Sequence, residues 1–442
     1  MKQFFACQIV MKKMKQDGFT VGVSRRTFLA AGAGFGLFNV VPASVLGADA
    51  PSNKVTMALV GAGSMGMGNM RTFLGMPDVR VLAVCDVNRA KRENGKAEVD
   101  KRYGDRACAT YRDFRDVCMR DDIDVVIVAT PDHWHAVIGI CAANCGKDIY
   151  GEKPFSHDLR EGRALVRAVE RNGRVWQTGS WQRSRGEMQR AVELVKNGRI
   201  GKIARVEVGL PSGGRGPAAT PGAPVPDGLD WDMWVGPAPE RPFEGVCDWH
   251  WRWVSDWGGG QLMDWIGHHG DIAQWGLGTD LSGPVSFEGS APDDRDGIYD
   301  TPKSYKIECE YANGVKMTVA NDGNGVKMGT KWIGENGEWV WVNRGRFDAS
   351  SRALRESRIE AGEIRLKSPG HHRQFIDSVK SRAATLTPAE IAHRSASIGH
   401  LCRVAIATGR KIAWNPAQER IVGDDAADRL LQRPLREPWK LY

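Results

Sequence analysis

A short β-branched run, Val55 to Val60, is followed by closely spaced glycines and then by apolar positions at helical spacing, so the chain opens as strand, turn and helix. "VRVLAVCDVNRAK" repeats the pattern, with a second strand ending at Asp86. "DVVIVATP", from Asp124 to Pro131, is apolar without alternation, as a strand buried on both faces would be. After another helical stretch, Ile149 and Tyr150 close a fourth strand in "DIYGEKPFS". Strands alternating with helices predict a parallel sheet.

Beyond Gln177 the periodicity changes. "WQTGSWQRS" reads as strand then turn, "EMQRAVELVKNGRIG" as a helix ending at Gly198 or Gly201, and "KIARVEVGL" as a strand. A Gly/Pro-rich loop runs from Pro211 to Gly228, long enough to be functional or mobile. From Ser304 to Val342 apolar and polar residues alternate around Asn313-Gly314 and Asn336-Gly337, which are hairpin signals. Helices from His371 to Arg382 and from Pro388 to Thr408 close the fold, and the segment from Gln418 to Tyr442 is expected to wrap the surface.

Gly61, Gly63 and Gly66 stand in GxGxxG spacing between the first strand and its helix, with Ser64 and Met65 inside the turn. In that order the first glycine permits the tight turn, the second lets backbone approach a pyrophosphate, and the third lets helix and strand pack closely. Asp86 lies where a carboxylate takes the ribose hydroxyls of NAD; it favours NAD over NADP, which Arg89 and Lys91 leave open. A helix cap is the competing role for Asp86. "TPDHWHA" and Lys153, with Glu152 beside it and Pro154 after it, fall at the carboxyl edge of the sheet, where open α/β sheets bind ligands.

The expected fold is therefore α/β. A Rossmann dinucleotide-binding domain (52–178) precedes an α+β domain with a large, mostly antiparallel sheet (179–415) and a C-terminal tail (416–442).

One helix of the second domain carries polar residues that a core helix does not need. In "GGGQLMDWIGHHGDIAQW", Leu262, Trp265, Ile266, Ile272 and Trp275 recur at roughly helical spacing, yet Asp264, His268, His269 and Asp271 lie among them. Residues four apart share a helix face, so Asp264 and His268 can converge on one point. The competing role for His268 is a hydrogen bond within the core.

Composition narrows the partners. The chain has 442 residues, about a quarter of them charged, which suits two domains with real cores. Its net charge of +8 suggests a nucleic-acid ligand until it is divided, because residues 1 to 50 hold six Lys and Arg against two Asp. No basic run is interleaved with aromatics, so nucleic acid is excluded as a partner. The Arg25-Arg26 pair, the weakly apolar Gly-rich run after it and the small residues from Gly47 to Ala50 read as a twin-arginine export signal over residues 1–50, and hence a periplasmic protein. Pro42 and four glycines make it a poor membrane span, so no stable insertion is expected. That route carries folded proteins, which implies a tightly held cofactor. None of the nine cysteines forms a CxxC or a metal-like cluster, so neither disulfides nor a metal site are expected.

Trp231, Trp234, Trp249, Trp251, Trp253 and Trp257 crowd one stretch. Indoles stack on the C–H faces of sugar rings, so one or two would contact a sugar-like ligand while the rest fill core. Arg252 in "HWRW" and Arg183 in "WQRS" are candidate donors to substrate hydroxyls.

The order GxGxxG, acid, ATPxxxH, EKP and a DxxxH helix resembles the Gfo/Idh/MocA oxidoreductase family, which includes inositol dehydrogenase and glucose-fructose oxidoreductase. The similarity covers most of the chain after residue 52 and is close to exported members reading GGGxLxDWxxHHxDIAQWxLG. The resemblance implies that Gly61, Gly63 and Gly66, with Ser64 and Met65, hold the pyrophosphate of NAD, Asp86 its adenine ribose, and Thr130, Pro131 and His133 its nicotinamide side, with Glu152 and Lys153 also binding the cofactor. Lys153 would be the catalytic lysine and Asp264 with His268 the paired acid and base, His268 also touching substrate. The implied reaction oxidises a secondary alcohol of a sugar, glycoside or cyclitol: His268 takes the hydroxyl proton, Asp264 orients its ring, and Lys153 polarises the forming carbonyl. Which of His268 and Lys153 is the formal base stays open. The family uses the antiparallel sheet as an oligomer interface, which implies a homodimer or homotetramer.

A second reading is an NAD-dependent glycosidase or lyase working through transient oxidation at carbon 3. Glycoside hydrolase family 109 resembles this, although its usual THGxGP segment is absent. A third, a sugar-binding protein without chemistry, is opposed by the intact Lys153, Asp264 and His268.

Overall fold

The computed structural model of the protein describes residues 54–321 and 323–441, so the expected export signal and its boundary at residue 50 lie outside the described residues. The β-branched runs form the expected strands: β1 (Val55–Val60), β2 (Val79–Cys85), β3 (Ala109–Tyr111), β4 (Val125–Val128), β5 (Asp148–Gly151) and β6 (Trp176–Thr178). All pair in parallel in the order β3-β2-β1-β4-β5-β6. Every residue of β4 is buried, as its unbroken apolar character requires of a strand covered by helices on both faces. The strand order reverses beside β1, which opens a crevice at the carboxyl ends of β1 and β4.

The second sheet has nine strands: β7 (Ile203–Leu210), β8 (Ser286–Ser290), β9 (Lys306–Glu310), β10 (Lys316–Asn321), β11 (Gly329–Gly334), β12 (Trp339–Asn343), β13 (Arg346–Ala349), β14 (Ile412–Asn415) and β15 (Arg420–Ile421). They lie in the order β13-β12-β11-β7-β10-β9-β8-β14-β15, antiparallel except for β7 with β10. The two Asn-Gly pairs turn the β9/β10 and β11/β12 hairpins, with Gly314 and Gly337 at φ of 84° and 83°, conformations that cost glycine nothing.

Residues 54–442 form one compact unit. The helix His371–Ser381 returns to the parallel sheet, with Phe375 and Ile376 in one core with Met57, Leu59 and Phe73. The tail does more than wrap the surface. Arg433 reaches inward to the buried Glu161 carboxylate (Nε–Oε1 2.7 Å) and donates to the His133 carbonyl at 2.9 Å. Trp439 packs edge-on against Trp134, with centroids 4.7 Å apart. All eight described cysteines are free. Among the described residues no cluster of His, Cys, Asp and Glu could hold a metal ion, and no helix is long and apolar enough to cross a membrane.

Candidate active site

A cleft of about 480 Å³ opens at the carboxyl edge of the parallel sheet. Each glycine of the first turn has its own steric reason. Gly61 sits at φ 95°, and a Cβ there would lie 2.6 Å from the Ala129 carbonyl. A Cβ on Gly66 would lie 2.0 Å from the Gly61 oxygen, whereas one on Gly63 would meet nothing within 4 Å. Gly63 therefore faces open space in the cleft, where it also caps the helix Ser64–Leu74 without any side-chain cap bond. The first N–H groups of that helix are thus left for a ligand, an arrangement suited to a pyrophosphate.

Asp86 also lines the cleft. Its carboxylate accepts the backbone N–H of Ala62 at 2.7 Å and of Asn88 at 2.8 Å, which fastens it to the glycine turn. Burial raises its pKa against the pull of those bonds. The cap of the following helix is Asn88, whose side chain accepts from the Lys91 N–H, so Asp86 is left for a ligand. Part of the Gly/Pro-rich loop and the segment after it fold over this end. Arg89 N–H donates to Gly228 O at 2.9 Å, Asp230 N–H to Val87 O at 3.1 Å, and Lys91 forms an ion pair with Asp248.

Thr130 and Pro131 line the cleft, as do Ser64, Met65 and Glu152. His133 does not. Its ring is fully buried, with Nε2 3.0 Å from the Trp234 carbonyl and Nδ1 3.3 Å from that of Trp257. Burial holds its pKa down to about 3, so the neutral ring cross-links the two halves of the protein and does not face a ligand. His135, two residues on, does comparable work: its ring nitrogens lie 2.6 Å from Pro154 O and 2.8 Å from Thr130 O.

The decisive geometry lies at the other end of the cleft. Lys153 Nζ donates to Asp264 Oδ1 at 2.5 Å, with both side chains nearly buried. Arg252 Nε approaches the same oxygen at 3.8 Å, and its guanidinium is held 3.9 and 4.4 Å from the ring centroids of Trp249 and Trp251. Burial pushes the Asp264 pKa up, but Lys153 and Arg252 outweigh it and hold the carboxyl below its usual range. One lysine from the nucleotide half and one carboxylate from the other half therefore meet in one cleft. Beside them, Glu152 accepts from Asn69 Nδ2 at 2.8 Å.

His268 departs from the expected arrangement. The chain from Ile266 to Gly270 is π-helical, a local departure from the regular α-helical spacing. No hydrogen bond joins His268 to Asp264; its ring packs against Trp265 and Trp181, and its buried Nδ1 has no partner. It does not line the cleft. Burial, and next the Lys153 charge, drive its pKa well down, so the ring is neutral.

Arg183 is likewise corrected. It is 2% exposed, forks onto Asp271 with Nε and Nη2 each at 2.7 Å, and reaches Asp280 at 2.7 Å. A guanidinium so committed cannot also serve a substrate, and it does not line the cleft. Asp271 is thus on its helix to hold a core ion pair, and His269 is buried at 3.3 Å from Gln182 Nε2. One residue the sequence reading passed over is Asp132, in the quoted "TPDHWHA". It begins the helix Asp132–Asn144 and lines the cleft with Lys153, Arg252 and Asp264.

Residues 55–180 match the model described as "Oxidoreductase family, NAD-binding Rossmann fold", and residues 194–441, over half the chain, match "Oxidoreductase family, C-terminal alpha/beta domain" of the Gfo/Idh/MocA group. The chain belongs to the Gfo/Idh/MocA oxidoreductase family. Its first domain is the NAD-binding one of that family, and the residues fit the cofactor: an open Gly63, an uncapped helix start and a fastened Asp86. Among relatives, a "Glycosyl hydrolase family 109 protein" of Saccharopolyspora erythraea is 32% identical over 202 residues, 41% of this chain and 44% of that one. The chain's match spans less than half the length of the curated relatives it resembles. The aldose-aldose oxidoreductase of Caulobacter crescentus, solved with glycerol, superposes with a TM-score of 0.60 at 17% identity over 81% of this chain and 99% of that one. The scyllo-inositol dehydrogenase of Lactobacillus casei gives 0.56 at 16% identity over 81% and 99%. At such identities the likeness is one of fold.

Proposed function

We propose that the protein oxidises a secondary alcohol of a sugar, glycoside or cyclitol, with a tightly held NAD as the partner in hydride transfer. The observation that carries this is the Lys153–Asp264 pair, flanked by Arg252, in the same cleft as the glycine turn and Asp86. Bound NAD supplies a hydride acceptor at the nicotinamide. The protein supplies position and charge. The Lys153 ammonium, held by Asp264, points a positive charge at an oxygen that becomes a carbonyl, and such preorganised charge is worth far more in a water-poor cleft than in solvent. Trp249 stacks one face on Arg252 yet stays 54% exposed at the cleft, which leaves indole surface on which a sugar ring can stack. The bonds from Arg89 N–H to Gly228 O and from Asp230 N–H to Val87 O, with the Lys91–Asp248 pair, support retention of the cofactor.

The export segment at residues 1–50 supports a periplasmic location. The outer face of the nine-stranded sheet, with Arg205, Glu308 and Lys316 exposed and Trp339 half-buried, is the surface on which a homodimer or homotetramer would form.

The test is to purify the protein without added nucleotide, find bound nicotinamide by native mass spectrometry, and mix it with a panel of aldoses, glycosides and inositols. The near-ultraviolet band of reduced nicotinamide should appear with at least one of them, and its absence across the panel refutes the reading. The glycosidase reading is favoured by the curated relatives named glycosyl hydrolase family 109. Release of nitrophenol from a p-nitrophenyl glycoside without added NAD would establish it; a keto-sugar as sole product would establish plain oxidation.

A further inference from the structure

One positive charge near the Lys153–Asp264 pair has no counter-ion among the described residues. Arg344 sits in the turn between β12 and β13, and its guanidinium carbon lies 4.2 Å from the ring centroid of Trp265 and 4.6 Å from that of Trp181. Both indoles also meet the His268 ring edge-on, with centroids 5.6 and 6.1 Å away, and Trp265 follows Asp264 in the chain. The neighbouring cations are committed: Lys153 to Asp264, Arg183 to Asp271 and Asp280, and Arg185 to Glu187. The Arg344 side chain makes no ion pair or hydrogen bond among the described residues, and its buried Nε is without a partner. We propose that Arg344 receives a carboxylate of the substrate, so that the alcohol oxidised at Lys153 belongs to a sugar acid such as a hexuronate or a glycuronide. This rests on the oxidoreductase reading above.

The fold holds this arginine still while leaving its donors free. The Gly345 N–H donates to Glu187 Oε1 at 2.9 Å, which fastens the turn to the helix Gly186–Lys196, and the Arg344 N–H donates to Asn343 Oδ1 at 2.7 Å. Indole faces stabilise a guanidinium without consuming its N–H groups. Asp264 is the one carboxylate whose charge is felt at Arg344, and it already accepts from Lys153 at 2.5 Å. A purely structural arginine is instead tied to acids, as Arg183 is to Asp271 and Asp280. The planar fork of N–H donors matches the two oxygens of a carboxylate. His268, against the same indoles, has a buried Nδ1 without a partner, so two polar groups with open bonds lie in one small region. A sugar acid supplies what each lacks, a hydroxyl for the imidazole and a carboxylate for the guanidinium. The larger charge of a phosphate calls for more than one free cation, and of the two arginines over Trp181 only Arg344 is unpaired.

The NAD-loaded protein is mixed with matched sugars: D-glucuronate against D-glucose, D-galacturonate against D-galactose, and methyl glucuronide against methyl glucoside, with glucose 6-phosphate as a second kind of anion. Calorimetry reads binding, and the near-ultraviolet band of reduced nicotinamide reads turnover. At least one acid should bind about 10- to 100-fold more tightly than its neutral partner, as a bond between charged groups implies. In Arg344→Gln that preference should collapse, through KM more than kcat. Arg344→Lys, which keeps the charge and loses the fork, should recover part of it. Melting temperature and bound nicotinamide show that both variants are folded and loaded. Equal binding of acids and neutral sugars by the wild type, a preference that survives in Arg344→Gln, or tighter binding of glucose 6-phosphate than of every sugar acid overturns the proposal. Turnover of neutral sugars in any of those cases leaves the oxidoreductase reading standing. Arg344-dependent binding of an acid without reduction of the nicotinamide by any sugar supports the carboxylate site and overturns the oxidation assigned to it.

Discussion

Replacing Arg183 with methionine tests whether this arginine builds the core or touches a ligand. Asp271 is 1% exposed and accepts two bonds of 2.7 Å from the guanidinium, with one more of 2.8 Å from Ser395. Deleting one partner of a buried pair strands the other charge, at a cost of about 3–5 kcal/mol. Asp280 adds little because it is partly exposed and can rehydrate. Chemical denaturation at pH 7 should therefore show that loss, while nucleotide content and apparent substrate affinity in the surviving folded fraction stay as in the wild type. Burial already raises the Asp271 pKa, and removing Arg183 raises it further. A carboxyl whose folded pKa lies above its unfolded one binds protons more tightly when folded, so its penalty grows as pH rises above the unfolded value of about 4 and shrinks as pH falls. The destabilisation of Arg183→Met should thus be smaller at pH 5 than at pH 8. Adding Asp271→Leu should restore most of the stability, since an apolar pair of similar volume carries no stranded charge. Unchanged stability with a weakened substrate affinity would refute the core assignment.

Lys153→Ala should abolish turnover while native mass spectrometry still finds the nicotinamide; near-normal rates would remove the lysine from the reaction. If Asp86 takes the ribose hydroxyls, Asp86→Ala removes charge-assisted bonds worth about 1.5–3 kcal/mol, so NAD should bind about 10- to 100-fold more weakly in a competition assay. Gly63→Ala should fold normally yet lose cofactor, because its methyl group enters only open cleft space, whereas Gly66→Ala drives a methyl into the Gly61 carbonyl and should lower the yield of folded protein. Equal behaviour of the two in a thermal melt would contradict that distinction.

Much of the architecture was legible because its signals are local. An unbroken Val125–Val128 run, Asn-Gly between alternating strands, and glycines before a helix each follow from the sterics of a few neighbouring residues. The site was legible where motifs end strands, as Asp86 and Lys153 do. It was less legible where long-range packing decides: the four-residue rule joined Asp264 to His268, but the His268 ring packs on Trp181 and Trp265 and makes no hydrogen bond to Asp264. Arg183 and His133 look like site residues from their neighbours in sequence, yet their partners Asp271 and Trp234 lie 88 and 101 positions away. Asp132 went unnoticed because an acid at a helix start is ordinary; only the assembled cleft sets it beside Lys153 and Arg252.

Trp439 against Trp134 and Arg433 against Glu161 join residues more than 270 positions apart, and Trp134 is also a wall of the nucleotide cleft. During synthesis, then, the first half of the polypeptide emerges without part of the support behind its own nucleotide pocket. That support arrives only once residues 433 to 439 have been made, long after the strands that carry the pocket.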